Sequence, residues 1–209
     1  MKCVYDAIHE REGITFRKIV NLPMEVTLSS YCDYCNTHPE DTFNKLYHDS
    51  EYGFPLKDDN LLFERLILEI NQAGLSWITI LKKADHFRKA YHNFDIARVA
   101  KYGEKDATRL LNDPGIIRNR LKVNAAIVNA HRILELQKEH GSFGNWLDHH
   151  HPLTKEEWTK LFKKTFVFTG GEIVNEFLMS TGYLAGAHDE SCPVYKKVAS
   201  LRPAWMRRA

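Results

Sequence analysis

Apolar side chains recur at helical spacing along most of the chain. In residues 58–74, DDNLLFERLILEINQAG, the residues Leu62, Leu66 and Glu69 are three or four positions apart, and the segment ends at Gly74. This spacing places its members on one face of an α-helix, and aspartate and glycine are common at helix ends. The pattern predicts a helix that begins at Asp58 or Asp59.

The same periodicity predicts further helices in residues 76–94, 106–113, 121–141, 154–164 and 170–182. Ser76 is a predicted cap, Gly141 a predicted terminator, and Thr154 with Glu157 fits a capping box. Strand-like alternation is confined to TFVFT, residues 165–169. We therefore expect an all-α protein.

Composition and length are typical of a soluble protein with one domain or two small lobes. The chain has 209 residues, is 44% hydrophobic and carries a net charge of +2, which by itself indicates no polyanionic partner. We interpret residues 1–30 as an N-terminal appendage without a clear core pattern, and residues 31–209 as the domain. No apolar run approaches the roughly 20 residues of a membrane span, and only four cysteines occur, so we expect a cytoplasmic protein without a membrane partner.

Cysteine and histidine residues occur at both ends of the domain. Cys32, Cys35 and His48 lie near its start, whereas His188 and Cys192 are four residues apart near its end. Four sulfur and imidazole ligands form the closed tetrahedral site typical of structural zinc. The pattern favours a zinc ion that joins the two ends, although unrelated thiols and imidazoles would give the same composition.

The segment DPGIIRNR, residues 113–120, separates two predicted helices. Gly115 permits a positive φ, and the second helix is predicted to begin at Asn119 or Arg120. Unpaired, outward amides at that helix start, together with Arg118, Arg120 and Lys122, would receive phosphate oxygens. The segment is therefore a candidate DNA-binding hairpin; the alternative is a plain connection between packed helices.

Glu69 lies in an apolar stretch of the predicted helix, near several aromatic residues in the sequence. A carboxylate in such surroundings is costly unless it is paired, and its pKa is expected to be raised. If Tyr34, Tyr47, Tyr52 and Trp77 face the same cavity, they would sandwich a flat, positively charged ring. The alternatives are a surface glutamate and ordinary core aromatics.

Residues 47–83, YHDSEYGFPLKDDNLLFERLILEINQAGLSWITILKK, resemble the corresponding segment of the 3-methyladenine DNA glycosylase I family. The resemblance extends to FRKAYHNFD, DPGIIRNRLKVNAAIVNA, FVFTG and the terminal His-x3-Cys, and covers roughly residues 32–195. It implies an all-α helix–hairpin–helix DNA glycosylase fold, with the hairpin unit at about residues 105–135 and a zinc site joining the N- and C-terminal segments.

The resemblance also implies roles for individual residues. The implied zinc ligands are His48, His188, Cys192 and one of Cys32 and Cys35. We favour Cys32 because Tyr34, two residues on, matches an aromatic residue of the base pocket. The implied pocket consists of the glutamate Glu69 and the rings Tyr34, Tyr47, Tyr52 and Trp77. The implied DNA contacts are Leu75, which fills the gap left by the extruded base, and Gly115, Arg118, Arg120 and Lys122.

The chain departs from the family pattern at several positions. Tyr34 and Tyr52 replace tryptophans, which keeps a flat ring and adds a hydroxyl. Gly171, Glu172 and Glu176 stand where the family more often has small hydroxyl residues. The two glutamates add negative charge, so the details of DNA contact are expected to differ.

The resemblance implies a monomeric, monofunctional DNA repair enzyme with one structural Zn²⁺ per chain. Its substrate would be double-stranded alkylated DNA, from which it hydrolyses the N-glycosidic bond of a flipped 3-methyladenine. The alternative is a zinc-stabilised protein that binds DNA lesions without catalysis. Hydrolysis at the zinc itself is disfavoured, because four protein ligands leave no open coordination position.

Overall fold

The computed structural model describes residues 30–207, and its regular elements are all helical. The helices are α1 (Tyr31–Thr37), α2 (Thr42–Ser50), α3 (Asp59–Gln72), α4 (Trp77–Leu81), α5 (Ala84–Ala90), α6 (Ile96–Val99), α7 (Glu104–Asn112), α8 (Arg120–His140), α9 (Phe143–His150), α10 (Lys155–Thr165), α11 (Gly171–Ser180) and α12 (Pro193–Ser200), followed by a 3₁₀ turn (Ala204–Met206). The all-α prediction is confirmed, and the TFVFT segment forms no strand. The predicted appendage lies outside the described residues, apart from Ser30, which caps α1.

Capping side chains explain where several of the helices begin. Asp58 is the cap of α3 and accepts a hydrogen bond from the Leu61 amide, and Thr154 with Glu157 forms the predicted capping box. The single helix predicted for residues 76–94 is wrong, because the chain breaks at Lys82 and Lys83 into α4 and α5.

Helix α3 lies at the centre of the fold. It packs against α4, α6, α8, α9 and α11. Every residue from 62 to 71 is buried, which means that the polar side chains of this helix lie in the protein interior together with the apolar ones. Each fully buried large apolar side chain contributes about 1.5–3 kcal/mol. This stabilisation offsets the cost of enclosing Glu64, Arg65 and Glu69.

A second, small cluster connects the two ends of the domain. Cys32 of α1 packs with Cys192, Val194 and Val198, the last two on α12, and Phe54 contacts the same group. The sequence ends of the domain are therefore adjacent in space. No helix in residues 30–207 is long and apolar enough to cross a membrane.

Candidate functional site

Four buried side chains from the two ends of the domain converge on one point. The ligand atoms of Cys32, His48, His188 and Cys192 all lie within 4.8 Å of one another. His48 Nε2 is 3.3 Å from Cys32 Sγ and 3.6 Å from Cys192 Sγ, and His188 Nδ1 is 3.6 Å from Cys32 Sγ. Cys35 is not part of this group; its thiol faces the Asn44 carbonyl oxygen at 3.7 Å. The structure thus selects Cys32 over Cys35.

The donor set fits a tetrahedral zinc ion. Zinc–sulfur bonds of about 2.3 Å and zinc–nitrogen bonds of about 2.0–2.1 Å separate N and S ligands by roughly 3.5 Å, close to the distances found. The second nitrogen of each imidazole is also engaged: His48 Nδ1 lies 2.7 Å from Asp49 Oδ1, and His188 Nε2 lies 2.7 Å from the Tyr52 carbonyl oxygen. Such outer partners orient metal-binding histidines.

Burial affects the protonation of these ligands in opposite ways. It raises the pKa of the Cys32 thiol to about 12, with the neighbouring Cys192 adding to the rise. It lowers the pKa of His188, which favours the neutral imidazole that binds metal. A thiol enclosed as Cys32 is becomes a thiolate readily only next to a cation.

An aromatic cavity adjoins this cluster. The cavity has a volume of about 280 Å³ and is lined by Tyr31, Tyr47, Tyr52, Glu69, Gln72, Trp77 and Glu176. This volume is at the lower end of small-molecule sites, roughly 300–1,000 Å³, and suits one flat ring system. The Tyr47 and Trp77 ring centroids are 5.1 Å apart, and those of Tyr31 and Tyr52 are 5.5 Å apart at 86°. The Tyr52 backbone connects the two sites, since its carbonyl faces His188.

Glu69 is the buried acid of this cavity. Its side chain is 4% exposed, which excludes the surface alternative. Burial raises the pKa of Glu69 to about 8. The positive charge of Arg65 opposes this rise, and the negative charge of Glu176 adds to it. Arg65 does not pair with Glu69 directly: the guanidinium donates to the Tyr47 hydroxyl at 2.6 Å and to the Glu51 carboxylate at 3.0 Å. The Glu69 carboxyl group is therefore available to a ligand in the cavity.

The prediction that Tyr34 lines this cavity is wrong. Its hydroxyl donates to Asp41 Oδ2 at 2.9 Å, and its ring stacks on His38 with a centroid distance of 4.6 Å. Tyr31, about one helical turn earlier on α1, lines the cavity instead. The reason given for favouring Cys32 therefore fails, although the structure brings Cys32 together with His48, His188 and Cys192.

The cavity also contains two residues that the sequence analysis did not assign to it, Gln72 and Glu176. Gln72 is three positions after Glu69 on α3, which is helical spacing, so the pattern offered a signal for it. Glu176 is more than 100 residues away in the sequence, and its charge was interpreted only in terms of DNA contact. Only the packing of α11 on α3 brings it here.

The turn between α3 and α4 carries Leu75 beside the cavity. Leu75 is 38% exposed and lies between two lining residues, Gln72 and Trp77. Gly74 allows the turn with a φ of 79°. The Gln72 side chain donates to the Leu75 carbonyl at 3.1 Å, which holds the turn against α3. The structure therefore presents a partly exposed apolar side chain on the turn that joins two residues of the cavity wall.

Lys122 does not face solvent, so its predicted role as a phosphate contact is wrong. The side chain is buried, and its ammonium group donates to the carbonyl oxygens of Asn71 and Ala73, each at 2.8 Å. These carbonyls lie at the C-terminal end of α3, where helices leave acceptors unpaired. Lys122 therefore holds the end of α3 and the turn that carries Leu75.

The connection between α7 and α8 differs in detail from the prediction. Gly115 does not have a positive φ; it is required because a Cβ there would lie 2.9 Å from both Asp113 Oδ1 and His86 Nδ1. The start of α8 is capped, since Asn119 Oδ1 accepts from the amides of Leu121 and Lys122. The expectation of unpaired amides at that helix start is therefore wrong for these two. Arg118 and Arg120 are exposed, as expected.

Comparison with known proteins identifies relatives of the chain. A family model described as methyladenine glycosylase matches residues 36–160. DNA-3-methyladenine glycosylase 1 of Escherichia coli (strain K12) is 35% identical over 180 residues, which cover 77% of this chain and 96% of that protein. DNA-3-methyladenine glycosylase of Haemophilus influenzae is 37% identical over 166 residues, covering 70% of this chain and 89% of that protein.

Solved structures agree with these matches. The 3-methyladenine DNA glycosylase I of Staphylococcus aureus has a TM-score of 0.71 and 30% identity, with 79% of this chain and 97% of that one covered. A variant of 3-methyladenine DNA glycosylase I in complex with 3-methyladenine has a TM-score of 0.71 and 31% identity. The match covers 77% of this chain and 96% of that one.

Proposed function

Because the chain belongs to the methyladenine glycosylase family, we propose that it removes 3-methyladenine from alkylated double-stranded DNA by hydrolysing the N-glycosidic bond. The observation that carries this proposal is the buried carboxyl group of Glu69 in a cavity walled by Tyr31, Tyr47, Tyr52 and Trp77. The relatives named above are glycosylases for 3-methyladenine by name. The cavity has the size and the lining that such a base requires.

Charge is the basis of recognition in this proposal. Methylation at N3 gives adenine a positive charge in the nucleotide. This cation, once in the cavity, favours the carboxylate form of Glu69, which then attracts it. The tyrosine and tryptophan faces add cation–π attraction and stacking, the latter about 1–3 kcal/mol per base. Unmodified adenine is neutral and gains neither charge-dependent contribution, so the cavity discriminates between the two bases.

The cationic base is also a good leaving group, so catalysis needs no strong acid. The base must leave the duplex stack before the cavity can enclose it. The glycosidic bond then breaks with its electron pair remaining on N9, which neutralises the base, and water adds to C1′ of the sugar and releases a proton. We assign no amine nucleophile: Lys122, the buried lysine close to the end of α3, is occupied by two carbonyl groups.

Two exposed parts of the fold would contact the DNA. Leu75 at the cavity rim fills the space left by the extruded base. The unit of α7, its connection and α8, within residues 105–135, acts as the helix–hairpin–helix anchor, with the exposed Arg118 and Arg120 beside phosphates and Gly115 allowing a close turn.

One structural zinc ion per chain completes the proposal. Cys32, His48, His188 and Cys192 would hold it, and the fit of their donor atoms supports this choice. When bound, the ion would supply folding energy by tying α1 and α2 to the C-terminal segment. Hydrolysis of the N-glycosidic bond takes place in the neighbouring cavity, where Glu69 contacts the base.

Chromatography of bases released from methylated DNA tests the function. We expect the chain to release 3-methyladenine and the Glu69→Gln variant to release far less. The alternative, a lesion-binding protein without catalysis, predicts that the chain retards methylated DNA in a gel while no free base appears. That result would overturn the proposed hydrolysis.

A further inference from the structure

The base cavity contains a second carboxyl group. Glu176 on α11 lines the same space as Glu69, and the Tyr52 hydroxyl donates to Glu176 Oε2 at 3.1 Å. The Asn175 side-chain amide approaches Glu176 Oε1 at 3.4 Å. The remaining oxygen lone pairs are available to a ligand because neither neighbour encloses the carboxylate, which is half-buried and borders the open cavity.

The charges around the cavity are unbalanced. Arg65 is a basic group whose charge acts on Glu69, but its guanidinium is held by Tyr47 and Glu51. Lys155, whose charge acts on Glu176, pairs with the exposed Glu172 on α11 at 3.2 Å. No ion pair in the described part of the chain joins Glu69 or Glu176 to a lysine, arginine or histidine side chain. Two like charges in one small cavity repel each other, and a cation bound in the cavity would relieve that repulsion.

We propose that Glu176 is a second specificity-determining carboxylate, which together with Glu69 makes the cavity select purine cations over the corresponding neutral purines. This inference rests on the proposed function, since it concerns the same cavity. It assigns to Glu176 a contribution to binding rather than to bond breaking. It also extends the substrate class from one methylated adenine to purines that carry a positive charge in the nucleotide.

The contribution should appear in substrate binding because of where the charge lies. The positive charge is on the base in the bound substrate, and it leaves the base when the glycosidic electron pair moves to N9. Glu176 therefore stabilises the bound substrate more than the departing base. Removing its carboxylate should raise KM without lowering kcat. Glu176 also favours release of the neutral product.

The experiment compares two probes that differ in charge. The first is 3,9-dimethyladeninium, a permanent cation, and the second is 3-methyladenine in its uncharged form, both titrated above the pKa of Glu69. We expect Glu176→Gln to bind the cation about tenfold more weakly, as for loss of one nearby opposite charge, and the neutral base within about twofold of wild type. The matched control is Glu104→Gln, an exposed glutamate at the start of α7, which does not line the cavity and should change neither affinity.

The alternative is that Glu176 only holds the Tyr52 ring in place. The Tyr52→Phe variant tests this alternative. This variant keeps the ring and removes the hydroxyl that contacts Glu176, so we expect it to retain most of the preference for the cation. The proposal is overturned if Tyr52→Phe reproduces the whole loss, if Glu176→Gln weakens both probes equally, or if it binds the cation as tightly as wild type. Release of base from methylated DNA by the wild-type chain is measured separately, so failure of this inference and failure of the proposed function remain distinct.

A pH titration of cation binding gives a second readout. The groups that face Glu69 are Arg65, Tyr47, Tyr52 and Glu176, and of the charged ones Arg65 lowers its pKa and Glu176 raises it. Affinity for the cation should increase as Glu69 loses its proton, with a midpoint near its pKa of about 8. In Glu176→Gln the like charge is gone, so this midpoint should move to lower pH. An unchanged midpoint would contradict the proposed coupling.

Discussion

Replacing Glu69 by glutamine should make the ligand-free protein more stable at neutral pH while reducing its activity. The carboxyl group is almost fully buried, and its pKa is raised to about 8 by burial. In the unfolded chain the pKa is close to the ordinary value of 4.5. Between these values the folded protein holds a proton that the unfolded chain has lost, so stability decreases as pH rises through this range. Glutamine has the same shape and does not titrate.

The magnitude follows from the difference between the two pKa values. Each unit corresponds to about 1.4 kcal/mol, so the cost of Glu69 is about 3 kcal/mol at pH 7 and approaches about 5 kcal/mol above pH 8. It vanishes at about pH 4, where both states are protonated. We therefore expect the free energy of unfolding of Glu69→Gln to equal that of wild type near pH 4 and to exceed it progressively toward pH 8.

Urea unfolding at several pH values measures this difference. Both proteins would be held in the same excess of zinc, so that metal binding is equal, and Glu172→Gln serves as the control because that side chain is exposed. The control should follow wild type at every pH. A Glu69→Gln protein whose advantage does not change with pH, or which is less stable than wild type near pH 8, would refute the assignment of a buried, uncompensated carboxyl group.

Three further predictions follow from individual contacts. Cys192→Ser should lose bound zinc, measured by metal analysis, and unfold at lower urea concentration; full zinc occupancy would contradict the ligand assignment. Tyr31→Ala should reduce base release about tenfold or more through lost stacking, whereas Tyr34→Ala should leave it nearly unchanged in the same chromatographic assay. Lys122→Met should lower the free energy of unfolding by about 2–3 kcal/mol, because two buried carbonyls lose their donor; denaturation matching wild type would contradict this.

The sequence predicted elements whose signals are local. Helix α3 begins where its aspartate cap indicated, and the capping box of α10 is formed by the two residues expected. The grouping of Cys32, His48, His188 and Cys192 was also predictable in part, because only four cysteines occur in the chain and three of them lie near histidines in the sequence. Between Cys32 and Cys35 spacing alone could not decide, since both lie on α1 and are buried.

Other features depend on packing that a pattern does not reveal. Lysine is usually found at the protein surface. The ammonium group of Lys122 nevertheless donates to the carbonyl oxygens of Asn71 and Ala73, at the end of a helix that is distant in the sequence. Tyr31 and Tyr34 are both on α1, and only the direction in which α1 faces the cavity separates their roles. Glu176 enters the cavity because α11 packs on α3. In each case a contact distant in sequence decides the role of the side chain.

A crystal structure of the chain with 3-methyladenine tests the central claim most directly. The account predicts the base in the cavity, stacked against Trp77 and with one of its nitrogen atoms within about 3 Å of a Glu69 carboxyl oxygen. A base bound elsewhere on the protein, or an empty cavity at saturating base, would contradict it.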